Sequence, residues 1–129
     1  MMSRHPHGTI AAVASACVLA GCAAGTTGKY DLKNVRNHGM SPYVVHEECL
    51  RVAPGEKIEY TFTSTFPLNF NIHYHEGSTV IMPIVKDKVT EGAGIYAPRI
   101  PQDYCLMWEA GATGATIDYG VRLRPVPSG

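Results

Sequence analysis

The 129-residue chain is 45% hydrophobic and 17% charged, which fits one folded domain and excludes wholesale disorder. Its 11 basic and 11 acidic side chains cancel, so it lacks the basic surplus of a nucleic-acid binder. No apolar run approaches the roughly 20 residues that a membrane-spanning helix needs.

Residues 1–9 (MMSRHPHGT) carry Arg4 and no acid, and residues 10–20 (IAAVASACVLA) are almost wholly apolar. A basic start and a short apolar run are the pattern of an export signal, predicted here over residues 1–21. The run ends in Leu19-Ala20-Gly21-Cys22, which resembles the lipobox of bacterial lipoproteins. That resemblance implies cleavage before Cys22, a diacylglycerol thioether on its sulfur and N-acylation of the new terminus. Each buried acyl CH2 adds about 0.8 kcal/mol of membrane affinity, so three chains anchor the protein durably. Alanine at position 23, by Gram-negative sorting rules, implies the outer membrane, facing the periplasm. Removing Arg4 with the signal leaves one acid in excess.

Residues 23–28 (AAGTTG) are small and uncharged, and residues 29–42 are polar without a sustained period. Together with Cys22 they are predicted as a lipidated, flexible tether over 22–42. As coil it would span about 25 Å and hold the domain close to the membrane.

From residue 43 the pattern is period two, interrupted by turn residues. Ile58, Tyr60 and Phe62 alternate with polar neighbours, as do Leu68, Phe70, Ile72 and Tyr74. Tyr104, Leu106 and Trp108 do the same, followed by Ile117, Tyr119, Val121 and Leu123. The denser apolar run Thr79–Val85 predicts a strand buried on both faces. Ala53-Pro54-Gly55-Glu56, His75-Glu76-Gly77-Ser78 and Gly111-Ala112-Thr113-Gly114 read as turns, the glycine-bearing ones as hairpins. Glu91–Pro98, with two glycines, reads as an exposed recognition loop. The fold class predicted is all-β: a small antiparallel β-sandwich over residues 43–126, with 127–129 as a tail.

Loss of Cys17 with the signal and lipidation of Cys22 leave Cys49 and Cys105, an even pair in an oxidising compartment. A bridge between them would stabilise the fold by about 4 kcal/mol at most. Two buried thiols, or one thiol serving a metal, are the other readings. Glu48-Cys49, then Pro54-Gly55, Leu68-Asn69-Phe70-Asn71-Ile72 and Asp103-Tyr104-Cys105-Leu106-Met107-Trp108-Glu109 together resemble the GOLD domain of eukaryotic secretory cargo receptors. The resemblance spans about residues 46–124, with Tyr104 adjacent to the cysteine where the family spaces the two. It implies a Cys49–Cys105 disulfide and a compact jelly-roll-like sandwich that serves as a protein- or lipid-interaction module. The coiled coil, membrane helix and sorting tail of those receptors have no counterpart here, so vesicle trafficking is not implied.

Asn71-Ile72-His73-Tyr74-His75-Glu76 carries the most chemistry. On a strand, His73 and His75 share one face, opposite Ile72 and Tyr74. Two neutral imidazoles so placed can bind zinc, copper(II) or nickel, with Glu76 or His46 as a third ligand. The competing readings are a solvated polar face with Asn69 and Asn71, or histidines hydrogen-bonded into the fold. Type 1 copper needs a histidine after the ligand cysteine, and none follows Cys105. Met82 and Met107 read as core filler, and Trp108 as a core anchor.

Gly-x-Ser-x-Gly, a P-loop and His-Glu-x-x-His are all absent. Nothing in the spacing selects His73, Asp103 and Ser78 as a triad. The sequence thus predicts a non-enzymatic, lipid-anchored envelope protein whose sandwich binds another envelope protein or a small ligand. Its contact surface is a strand edge or the face of Asn69, Asn71, His73 and His75. The alternative is a periplasmic copper- or zinc-binding protein; otherwise no cofactor is implied.

Overall fold

Strands form at each period-two segment, and the computed structural model, which describes residues 28–128, adds one before them. The elements are β1 (Lys33–Met40), β2 (Val45–Val52), β3 (Lys57–Glu76), β4 (Thr79–Tyr96), β5 (Gln102–Ala110) and β6 (Ala115–Arg124). All pairing is antiparallel, and there is no helix among the described residues. The export signal and Cys22 lie outside the described residues.

The organising element is β3, twenty residues long. Its first part, Lys57–Ser64, pairs with β6, and its second, Leu68–His73, pairs with β5. On its other side it pairs with β4 along nearly its whole length, with register shifts between Thr63 and Leu68. Phe66-Pro67 lies in that interruption, where proline has no N–H to offer a ladder. Side chains take over there: Ser64 donates to the Phe66 carbonyl, and Thr65 Oγ1 accepts the Thr116 N–H at 2.9 Å.

The sheet therefore folds onto itself. β1, β6 and the start of β3 face β2, β5 and the end of β3, which makes the predicted sandwich. Phe62 meets Phe70 at 4.7 Å between ring centroids, and Trp108 of β5 meets Tyr119 of β6 at 4.7 Å. Leu68, Ile72, Leu106 and Ile117 complete a core in which Trp108 and Tyr104 are wholly buried. Each such side chain contributes about 1.5–3 kcal/mol by leaving water. Cys49 and Cys105 stand directly opposite on β2 and β5 and are disulfide-bonded.

Four expectations change. The tether predicted to reach residue 42 is shorter, because β1 pairs with β6 from Lys33↔Val121 to Met40↔Ala115. Even Lys29 and Tyr30 are held, as both bond the buried Glu56 carboxylate, at 2.6 and 2.8 Å. Thr79–Val85 is not buried on both faces; among the described residues β4 has a single partner strand and contains no fully buried residue. Residues 91–96 of the predicted loop are the end of that strand. Finally, Gly111–Gly114 is a tight turn but no hairpin, since β5 and β6 do not pair with each other. Gly114 has φ 68°, and a Cβ there would lie 2.6 Å from the Met40 carbonyl oxygen, so only glycine fits.

The glycines of β4 have a packing reason. Gly92 is opposite Phe62 and Gly94 opposite Tyr60, and a Cβ on Gly92 would stand 2.5 Å from the Phe62 ring. Gly92→Val should therefore lower unfolding free energy by about 1–3 kcal/mol in urea titration. Gly39→Ala, with nothing within 4 Å of the new carbon, should be nearly neutral. Equal effects would refute this packing.

Candidate functional site

Period two puts Asn69, Asn71, His73 and His75 on the outward face of the sandwich, opposite Phe70 and Ile72. Asn69 and His75 are exposed, but Asn71 and His73 are only 6% and 4% accessible, so this is no solvated polar face. Register explains the burial. Asn71 lies between Met107 of β5 and Val85 of β4, and His73 stands beside Cys105. His73 Nδ1 bonds Asn71 Oδ1 at 2.8 Å, and Nε2 faces Oε1 of Glu47, from β2, at 3.5 Å. Asn69 works structurally, since its Oδ1 accepts the Lys88 N–H at 3.1 Å where β4 bulges.

The ligand set expected from sequence is not brought together. His75 stands edge-on to His73, ring centroids 5.3 Å apart. Glu76 has the opposite parity and lies with Tyr74 on the other face. His46 is elsewhere, turned inward toward Trp108 with ring centroids 5.9 Å apart. The carboxylate beside His73 is Glu47, which sequence reasoning missed. Its signal was parity with Cys49, once Cys49 is placed opposite Cys105. Among the described residues, one trio of ligand atoms falls within 4.8 Å: Glu47, Cys49 and Cys105.

His46 belongs to a polar seam. β1 and β2 end the two halves of the folded sheet and share no ladder. Side chains join them instead: Lys33 to Glu48 at 2.6 Å, and His38 to His46 with centroids 4.1 Å apart. Tyr119 donates to Glu48, and its hydroxyl is 2.8 Å from His46 Nε2. Burial pushes Tyr119 well above its ordinary value, so it stays protonated beside that carboxylate. The Trp108 indole N–H behind it is buried without a partner among the described residues.

The opposite side of the sandwich is open. Among the described residues, no second strand pairs with β4, so its 18 residues present a free edge. Val80, Met82, Val85 and Ile95 are 43–55% exposed, and pairing puts Val80, Val85 and Ile95 on the outward face. Pro83, Lys86, Asp87 and Lys88 interrupt the strip, a usual protection of strand edges. Beside its first stretch is a cavity of about 550 Å³ lined by Tyr74, Tyr96, Tyr104, Ile81 and Pro83, with Arg99 and Glu76 as charged groups. That volume is within the range of small-ligand sites. Burial pushes the Tyr104 hydroxyl up to about 12, and it donates to the Ile100 carbonyl at 2.9 Å.

No family model and no curated protein matches the sequence. Function is therefore argued from the residues themselves.

The buried titratable groups predict a two-stage acid response. Burial, with His38 alongside, holds His46 below its ordinary 6.5, and burial does the same to His73. The unfolded chain takes up those protons first, so stability present above 6.5 falls as pH drops below it. Glu48 is pushed up by burial but pulled down further by Lys33 and Tyr119; Glu56 is pulled down chiefly by Lys29. Their contributions are present above 4.5 and are lost as pH falls through their lower folded values. Thermal melts across pH should show both declines, and His46→Gln/His73→Gln should lack the first. A variant that keeps the first decline would contradict this assignment.

Proposed function

We propose that the chain is an exported, lipid-anchored envelope protein whose sandwich is a non-enzymatic interaction module. It takes an extended segment of another envelope protein as an added strand along β4. The observation that carries this reading is the edge itself: among the described residues, all 18 residues of β4 are paired on one side only, with apolar side chains outward. A free edge offers backbone donors and acceptors for affinity, and an adjoining pocket selects a side chain. The tyrosine-lined cavity beside Ile81 and Pro83 supplies that pocket, and its tyrosine rings suit stacking with an aromatic or prolyl side chain.

The lipobox-like Leu19-Ala20-Gly21-Cys22 and the short link to β1 support a location at the membrane surface. With Lys29 and Tyr30 already bound to Glu56, only a few residues separate Cys22 from the folded domain. The partner would thus be a membrane-proximal protein.

Two measurements test this. Cys22→Ala should abolish labelling by a clickable palmitate analogue and move the protein from the membrane to the soluble fraction. A photo-crosslinking residue at Val80 or Ile95 should give a discrete adduct in cells, one at exposed Arg51 of β2 should not, and Tyr74→Ala should weaken the Val80 adduct. Adducts independent of position, or unchanged labelling in Cys22→Ala, would refute the reading.

A further inference from the structure

We propose that reduction of the Cys49–Cys105 disulfide creates a zinc site, with both thiolates, Glu47 and His73 as ligands. Three adjacent strands bring these residues to one outward face: Glu47 and Cys49 from β2, Cys105 from β5 and His73 from β3. The ligand atoms of Glu47, Cys49 and Cys105 lie within 4.8 Å of one another, and His73 Nε2 is 3.5 Å from Glu47 Oε1. Two sulfurs, one imidazole nitrogen and one carboxylate oxygen are a donor set suited to tetrahedral zinc.

The histidine is prepared for this role. The Asn71 carbonyl oxygen can only accept, so the 2.8 Å contact places the imidazole proton on Nδ1. In the neutral ring Nε2 then carries the lone pair, and a proton or a metal cation can bridge it to the Glu47 carboxylate oxygen 3.5 Å away. Metal-ligating histidines are oriented in this way, by a hydrogen bond from the second ring nitrogen. His73 is 4% accessible and Asn71 6%, so both groups are held in place.

In the oxidised protein the sulfurs are bonded to each other and the set is incomplete. An external dithiol supplies two electrons and its two protons and leaves as the disulfide; a phosphine supplies two electrons and leaves as the phosphine oxide, with water giving the oxide oxygen and the two protons. Cys49 and Cys105 each take up one of those protons. Zinc then displaces both thiol protons to solution and binds the two thiolates. Cys49 is exposed on the outward face, where a reductant can reach it. Metal affinity would then report the redox state of the bridge.

The test uses the full chain carrying Cys17→Ser and Cys22→Ser, so that Cys49 and Cys105 are its only thiols. Anaerobic titration with zinc against a chromophoric chelator is run on oxidised and phosphine-reduced protein. Loss of an outer-shell partner alone costs about 10–100-fold in metal affinity, so loss of both thiolates should cost at least that. The reduced form should bind one equivalent of zinc and melt at a higher temperature with zinc than without. Cobalt(II) should give the intense thiolate charge-transfer bands of tetrahedral coordination. Glu47→Gln, on an exposed side chain, should weaken binding by about tenfold or more, and His75→Ala should leave it unchanged. Equal affinity in both redox states, an effect of His75→Ala larger than that of Glu47→Gln, or a reduced chain that stays unfolded with zinc would each overturn the proposal.

Discussion

Everything in this fold depends on one interruption in β3. The strand cannot carry its ladder through Phe66-Pro67, so its two parts bind different partners, β6 before the break and β5 after it. One sheet thereby becomes two facing layers, and Trp108 and Tyr119, on strands that never pair, meet across the interior at 4.7 Å. The turn from β5 to β6 must follow the same fold, which is why Gly114 sits against the Met40 carbonyl with no room for a Cβ.

Folding one sheet over leaves two lateral sides, and they are treated differently. Where β1 and β2 meet, charged and aromatic groups close the seam: Lys33 with Glu48, His38 with His46, and Tyr119 with both Glu48 and His46. On the other side, β4 has no second strand partner among the described residues, and its outward apolar residues are half exposed. The asymmetry separates a structural, pH-sensitive side from one suited to recognition. It also separates the His46 seam from the disulfide face, where Glu47 and His73 confront each other.

How much was legible in sequence follows from how local each signal is. Strands β5, β6 and most of β3 bury one face, so alternation such as Tyr104, Leu106, Trp108 marks them directly, whereas β2 buries only Val52 fully and carries no such mark. β1 carries no such mark, because Lys33–Met40 buries only Met40 fully and pairs through its backbone. The end of β4 reads as a loop because Gly92 and Gly94 are breakers by propensity; their reason, the Phe62 and Tyr60 rings above them, lies thirty residues away. Density misled at Thr79–Val85, where apolar residues on both faces mark an open edge instead of a buried centre. The face of His73 and His75 was readable from parity, whereas its burial depends on Met107, Cys105 and Glu47, which arrive from other strands.

Whether β4 carries a free edge available to another chain is tested without any partner by hydrogen–deuterium exchange resolved to single amides. In an antiparallel ladder paired on one side only, successive N–H groups point alternately to the neighbour and to solvent. Alternating slow and fast exchange is expected along Thr79–Met82 and Glu91–Tyr96, with the slow positions directed at β3. Uniform slow exchange along both stretches would mean that the edge is already covered, and would contradict a free edge.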